Sequence, residues 1–234
     1  MDNIKGVMGR RFVMGDIHGA HKALLQCLER SHFNNDHDLL IFLGDASDGW
    51  PESKLVFDEL LRIKNLIYIF GNHDFWTLEW MQQGTTDDMW LHQGGKATVE
   101  SYRNGVPDDH ITLLNQSSLY HVIENKLFVH AGIETDVPID VQSMSTLLWD
   151  RSLAKKALLN YYNNVQQKLT LFDEVYLGHT PVSPTPLLSG DIWLMDTGAG
   201  WTGCLSMMDI DTKEIYQSDP VPSLYPGIAG RTRK

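Results

Sequence analysis

Phe12-Val13-Met14-Gly15-Asp16-Ile17-His18-Gly19 sets an apolar run directly against a polar cluster. The same grammar recurs downstream. Leu39 to Leu43 runs into Gly44-Asp45-Ala46-Ser47-Asp48, and Leu66 to Phe70 runs into Gly71-Asn72-His73-Asp74. Leu127-Phe128-Val129 leads to His130-Ala131-Gly132, and Val175-Tyr176-Leu177 to Gly178-His179-Thr180. Continuous apolar runs of this length suit strands buried on both faces. Between the first runs lie helical stripes: Ala20, Ala23, Leu24, Cys27 and Leu28, then Leu55, Val56, Leu60 and Ile63. Pro51 ahead of Glu52 and Ser53 suits a helix start. Strand then helix, repeated, predicts an α/β chain with a largely parallel inner sheet. In such sheets ligands gather at the carboxyl ends of the strands, where every polar cluster falls.

Farther along, Ala97–Tyr102 and Asp109–Leu114 suit short helices, and Leu119–His130 reads as a hairpin turning at Glu124-Asn125. Ser152–Leu169 reads as one long helix. Ile192–Met195, Cys204–Ile210 and Glu214–Gln217 read as late strands of a second sheet. No repeat or long linker interrupts the 234 residues, so a single domain over 1–234 is expected, with a core of about 11–217 and a Pro- and Gly-rich surface tail over 218–234.

Composition narrows the function. With 42% hydrophobic and 21% charged residues the chain is neither disordered nor membrane-embedded, and its longest purely apolar runs are far short of a bilayer span. Met1–Arg11 holds no apolar core of a secretory signal, so a cytoplasmic location is expected. Cys27 and Cys204 read as buried free thiols in a reducing compartment rather than a disulfide or zinc cluster. A formal charge of −11 disfavours a nucleic-acid partner, the one basic cluster being the short tail Arg231–Lys234. An acidic protein that handles phosphate must create local positive charge, and bound metal ions are the usual means.

Singly, each polar cluster has a bland reading: an Asp capping a helix, a Gly-Asp turn, an internally bonded Asn-His loop. Jointly they place Asp, Asn and His side chains on one rim of one sheet, where a merely structural core would not gather them. Carboxylate, imidazole and amide oxygen suit two borderline-hard divalent cations. Such a pair clamps the oxygens of an in-line displacement and makes hydroxide available near neutral pH.

The ordered set Gly-Asp-x-His-Gly, Gly-Asp-x-x-Asp, Gly-Asn-His-Asp, His-Ala-Gly and Gly-His-Thr-Pro resembles the phosphoprotein phosphatase family of calcineurin-like metallophosphoesterases. The likeness is to its compact bacterial and phage members, such as the phage lambda phosphatase and the symmetrical dinucleoside-tetraphosphate hydrolases. Trp90-Leu91 through Gly94-Gly95 to Ser101-Tyr102, Leu148-Trp149-Asp150-Arg151 and Asp196-Thr197-Gly198-Ala199 add to it, so that it spans Phe12 to about Ile210. The resemblance implies a four-layer αββα sandwich and a phosphoester hydrolase using two divalent metals, manganese first, with iron, zinc or nickel as alternatives. It implies that Asp16 and His18 bind one metal, that Asp45 bridges both, and that Asn72, His130 and His179 complete the second. By the same resemblance His73, held by Asp48, protonates the leaving oxygen, and Arg151, with Asn72, contacts the substrate phosphate. A carboxylate partner is expected to fix the tautomer of such a histidine and keep it protonated near neutral pH.

In one place the chain departs from the family. Gly49 stands where the family carries an arginine after Gly-Asp-x-x-Asp, and glycine cannot replace a bidentate guanidinium. Lys54 and Arg103 are candidates to reach in, and an arginine restored at position 49 is expected to tighten phosphomonoester binding. Trp50 reads as a core-packing residue ahead of an aromatic wall for a tyrosyl group or a base. His21 and His92 lie near the motifs without matching a ligand position, and His32, His37 and His110 fall in polar loops. Trp76, Trp80 and Trp90, at roughly helical spacing, read as core. The leading expectation is a serine/threonine, or tyrosine, protein phosphatase working as a monomer on phosphorylated proteins or small phosphoesters, away from membranes and nucleic acids. Hydrolysis of dinucleoside polyphosphates or other small phosphate esters and anhydrides on the same site is the alternative. A non-catalytic module on the same fold is disfavoured because every ligand position is filled.

Overall fold

A computed structural model describes residues 9–182 and 184–231. The apolar runs are strands: β1 (Arg11–Met14), β2 (Leu39–Phe42), β3 (Asn65–Tyr68), β4 (Tyr120–Ile123), β5 (Lys126–Val129), β6 (Glu174–Leu177), β7 (Leu187–Ser189), β8 (Ile192–Leu194), β9 (Ser206–Asp209) and β10 (Ile215–Gln217). They form two five-stranded sheets, ordered β10-β9-β1-β2-β3 and β4-β5-β6-β8-β7. In the first, β1, β2 and β3 are parallel, with Phe12 opposite Leu40 and Leu40 opposite Leu66. In the second, β5, β6 and β8 are parallel.

Period-two alternation explains why these strands are apolar throughout. Val13 and Ile41 of the first sheet face Phe128, Tyr176 and Trp193 of the second, forming a core between the sheets. The intervening positions Phe12, Met14, Leu40 and Phe42 point outward onto helices α1 (His21–Arg30) and α2 (Ser53–Leu60), against Ala23, Leu24, Cys27, Val56 and Phe57. Leu127, Val129, Val175 and Leu177 meet Leu147, Leu153, Ala154 and Ala157 on the opposite side. Both sheets thus bury both faces, which makes the four-layer αββα sandwich. Across the second sheet Phe128, Tyr176 and Trp193 stack in register, with centroids 4.7 and 6.4 Å apart. No helix among the described residues is long and apolar enough to cross a membrane.

Several sequence expectations need correction. Of the late strands only β8 joins the second sheet; β9 and β10 return to the first, β9 lying antiparallel to β1. The helix from Ser152 stops at Tyr162 rather than running to Leu169. Asn164 there adopts φ 55, and the N–H groups of Asn164 and Val165 donate to the carbonyls of Tyr161 and Asn160, a left-handed cap that closes the last turn. On α2 the buried stripe includes Phe57, while Leu55 is exposed. The expected surface tail over 218–234 is partly interior: a short helix, Val221–Leu224, buries Val221, and Tyr225 is buried beyond it. Residues 1–8 and 232–234, including the rest of the basic tail, lie outside the described residues. The Glu124-Asn125 turn has φ of 50 and 60, the positive pair that a tight two-residue hairpin requires.

Candidate active site

The polar clusters do not share the one sheet expected from the sequence. Those of Asp16, Asp45 and Asn72 follow the parallel strands β1, β2 and β3, and those of His130 and His179 follow β5 and β6 of the second sheet, so the site forms where the two rims meet. The loops after β1 and β2 are tied together, the N–H groups of Ile17 and His18 both donating to the Asp45 carbonyl. Helix α3 (Asn72–Gln83) begins at the third cluster, so Asn72 and His73 enter the site from its first turn. Asp74, one residue on, turns its carboxylate back to accept the N–H groups of Asp45 at 2.8 Å, Ala46 at 3.0 Å and Gly71 at 3.0 Å. Asp74 thereby moulds the loop that aims Asp45. His18, Asp45, Asp48 and His179 all have φ between 52 and 72, a left-handed conformation costly for a side-chain-bearing residue and typical of over-determined functional sites.

The structure brings the sequence-predicted residues together. Asp45 Oδ2 lies 3.7 Å from His18 Nε2 and 3.5 Å from His130 Nε2, so one carboxylate faces both halves of the cluster. His18 Nε2 is 3.9 Å from Asp16 Oδ2, and His130 Nε2 is 3.0 Å from Asn72 Oδ1. Two groups could each hold a cation, His18 with Asp45 and His73, and Asp45 with His130 and His179. Asp16 is held next to them by the His179 N–H, at 3.0 Å from Oδ2. Arg151 reaches the rim, its Nη2 donating to the His179 carbonyl at 3.3 Å. His18, Asp45, His73 and His179, with Arg151 and Arg231, line a cavity of about 200 Å³.

The donor chemistry fits divalent cations. His18 Nδ1 faces the Ser47 carbonyl at 3.0 Å and His130 Nδ1 the Leu43 carbonyl at 2.7 Å, contacts that suit an Nδ1 proton and turn both Nε2 atoms inward, where a cation would displace the proton from His130 Nε2. His179 Nε2 is buried with no hydrogen-bond partner, an orphan that a cation would satisfy. Burial, with the charge of Asp196, pushes Asp16 well up, and burial lifts Asp196 to about 6. Burial opposes ionisation of Asp45 too, but the charge of His130 outweighs it and holds that carboxyl well below its usual range. Burial lowers His18 and His179, while Asp45 and Asp16 lift His130 to about 10 against its burial. One charged imidazole among several buried acids leaves room for added cationic charge.

His73 is organised differently. Its Nδ1 lies 2.7 Å from Asp48 Oδ2, leaving Nε2 toward the cavity. The same carboxylate oxygen accepts the Trp90 indole N–H at 2.6 Å, and Oδ1 accepts the Thr98 hydroxyl at 2.6 Å. Burial pulls the imidazole down to about 3, with the charge of Arg231 assisting, so the ring is neutral here. This departs from the expectation that its carboxylate partner keeps His73 protonated near neutral pH, and burial pushes Asp48 itself up to about 7. Thr98, Trp90, Asp74 and Arg231 are site residues that sequence reasoning missed. Trp90, expected as core and as part of the family-like motif, is buried with its N–H committed to Asp48. Trp50 is indeed interior, its N–H donating to the Ala199 carbonyl at 2.7 Å. Lys54 pairs with Asp58 and Arg103 with Glu100, so both proposed substitutes for the missing arginine are engaged elsewhere. His110 belongs to a helix, not a loop, and is buried between Tyr102 and Asp58. Cys204 is half-buried, and only Cys27 is deeply interior.

With this geometry in view, comparison with known proteins is decisive. The calcineurin-like phosphoesterase family model matches residues 9–208. The chain belongs to that family. It is 30% identical over 210 residues to serine/threonine-protein phosphatase 2 of Escherichia coli (strain K12), covering 85% of this chain and 92% of that protein. It is 25% identical over 253 residues to the asymmetrical bis(5'-nucleosyl)-tetraphosphatase PrpE of Bacillus cereus (strain Q1), covering 94% and 97%. Among solved structures, one assigned as a diadenosine tetraphosphatase superposes with TM-score 0.70 at 21% identity, covering 92% of this chain and 95% of that one. A serine/threonine phosphatase from Saccharomyces cerevisiae gives 0.62 at 15% identity, covering 99% and 85%. The structural likenesses establish the sandwich; the family match makes this chain a metal-dependent phosphoester hydrolase with two buried His/Asp clusters for its cations.

Proposed function

We propose that this enzyme is a protein phosphatase that removes phosphate from phosphoserine and phosphothreonine side chains. The observation that carries the reading is the convergence on one small cavity of a shared carboxylate, Asp45, an arginine, Arg151, and a histidine, His73, fixed from behind by Asp48. In this reading Asp16, His18 and Asp45 hold one cation, and Asp45, Asn72, His130 and His179 the other. When bound, such a pair supplies Lewis acidity and lowers the pKa of water. Arg151 orients the phosphate for in-line displacement. His73 Nε2 faces the leaving oxygen and gives it a proton, while Asp48 holds Nδ1–H and stabilises the ring when it is charged. Burial disfavours the charged form of His73 in the empty cavity, and an anionic phosphate beside the ring favours it.

Support for a protein substrate comes from the similarity to the Escherichia coli phosphatase and from a groove of about 500 Å³ next to the site, lined by Pro181, Val182 and Trp201, which suits the chain flanking a phosphoresidue. The same groove, with Trp201 on its wall, and the similarity to PrpE favour the second reading, a dinucleoside polyphosphate. Competition between phosphopeptides and dinucleoside tetraphosphates decides between them. A higher kcat/KM for phosphopeptides supports protein phosphatase activity, and preference for the dinucleotides replaces it with the second reading.

A further inference from the structure

The cavity contains a second arginine that the strand-end motifs do not supply. After β10 the chain crosses α1, and the Tyr225 ring stacks on Trp50 with centroids 5.1 Å apart. The Tyr225 hydroxyl accepts the Lys22 N–H at 3.0 Å and bonds Glu52. Gly230 then passes over the Trp50 indole so closely that a Cβ would lie 2.6 Å from Cζ2. The Arg231 N–H donates to the Gly200 carbonyl at 3.0 Å, and its guanidinium lies over Trp201 at 4.6 Å. The tail is therefore fastened at successive points that deliver one side chain to the cavity that Arg151 also lines.

That guanidinium is poorly satisfied. Nη1 stands 3.2 Å from His18 Nε2 and Nη2 3.3 Å from Gln93 Oε1, while Nε is buried without a partner. A guanidinium offers five N–H donors in a fork that matches phosphate oxygens. In the proposed function a cation takes the His18 lone pair, which removes one of these two acceptors as well. The Arg231 stem runs where a side chain at position 49 would project, its Cγ 3.0 Å from the Cβ position of Gly49, whose φ is +137. Gly49 leaves the room, and Trp50 anchors the returning tail.

We infer that Arg231, folded back by the C-terminal tail, is a phosphate-binding residue that works together with Arg151 and fills the place left open at Gly49. This rests on the phosphoester reading above. The competing explanation is that Arg231 only balances the carboxylates around it, Asp45, Asp48, Asp196 and Asp16. The two differ in what they predict for oxyanion binding.

The test uses full-length enzyme reconstituted with manganese, in wild-type form and as Arg231→Ala, Arg231→Lys and a chain ending at Ile228, which keeps the Tyr225 anchor. Thermal midpoints and bound metal are measured beside KM and kcat for para-nitrophenyl phosphate. Competitive inhibition by inorganic phosphate and calorimetric binding of tungstate report the oxyanion site directly. A charged hydrogen bond contributes about 1.5–3 kcal/mol, so Arg231→Ala should weaken phosphate and raise KM by about 10- to 100-fold, with a smaller change in kcat. Arg231→Lys should recover part of this, because it restores the charge without the fork. The truncation should match Arg231→Ala, with both metals retained. Unchanged phosphate and tungstate affinity in Arg231→Ala, with wild type binding both, overturns this inference alone. So does tighter metal binding with higher activity in that variant, which would make Arg231 a plug on His18. A wild type that hydrolyses no phosphoester and binds no phosphate overturns the functional reading itself.

Discussion

Thr98→Val isolates the support of the His73–Asp48 pair without touching either member. The Thr98 hydroxyl donates to Asp48 Oδ1 at 2.6 Å and accepts the Asp48 N–H at 3.0 Å, and the residue is fully buried. Valine is nearly isosteric but supplies neither function, so one carboxylate oxygen and one N–H are left unsatisfied. Each buried orphan costs roughly 1–3 kcal/mol, which places the loss of folding stability at about 2–6 kcal/mol. Asp48 would still hold His73 and Trp90 through Oδ2. With Oδ1 released, however, the carboxylate can rotate and the ring of His73 loses its fixed aim. A loss of about 1.4 kcal/mol in the transition state is a factor of about ten in kcat. Urea denaturation gives the first quantity, and steady-state kinetics on phenyl phosphate and para-nitrophenyl phosphate the second, with Thr98→Ser as the control that keeps the hydroxyl. Stability within 0.5 kcal/mol of wild type (about the range of an ordinary surface change) together with unchanged kcat would refute the idea that Thr98 holds the pair.

Asp45→Asn should lose both metals and activity together, because Asp45 Oδ2 faces both halves of the cluster; elemental analysis showing two tightly held ions with normal turnover would contradict the shared role. His73→Asn should keep both metals and lose about 10²–10⁴ in rate, most for alkyl phosphates whose leaving group needs a proton. Equal losses on alkyl and nitrophenyl esters would remove His73 from acid catalysis. Gly49→Arg, expected from sequence to tighten phosphomonoester binding, should instead weaken it and lower the thermal midpoint. The new side chain meets the Arg231 stem and must adopt a φ of +137. A lower KM with an unchanged midpoint would show that the site has room for both.

The strands, the layered α/β fold and the residues at the strand ends were legible because each depends on local chemistry. A run such as Leu39 to Leu43 can be apolar throughout only if both faces of its strand are covered. The polar clusters that follow such runs must then lie at the carboxyl rim of a parallel sheet, wherever the intervening helices pack. Asp16, His18, Asp45, Asn72 and His73 needed no more than that to be placed together, whereas His130 and His179 belong to the rim of the second sheet and reach them only because the two sheets pack face to face. The sheet to which β9 belongs was not legible, since its apolar pattern suits either sheet and only antiparallel pairing with β1 settles it. Nor was the length of the helix after Ser152, where Asn164 in a left-handed cap prevailed over an otherwise helical sequence. The neutrality of His73 follows from burial that no motif reveals, and the support of Asp48 by Trp90 and Thr98 joins positions more than forty residues from it in sequence. Arg231 is the extreme case. It is separated from His18 by 213 residues, and its own neighbourhood, a Gly- and Pro-rich tail, carries no signal of a binding role. Sequence by itself determined which strand ends bear the chemistry, because the motif and the strand are one local segment. Tertiary structure alone decided which distant side chains complete the site, because proximity created by packing leaves no periodicity along the chain.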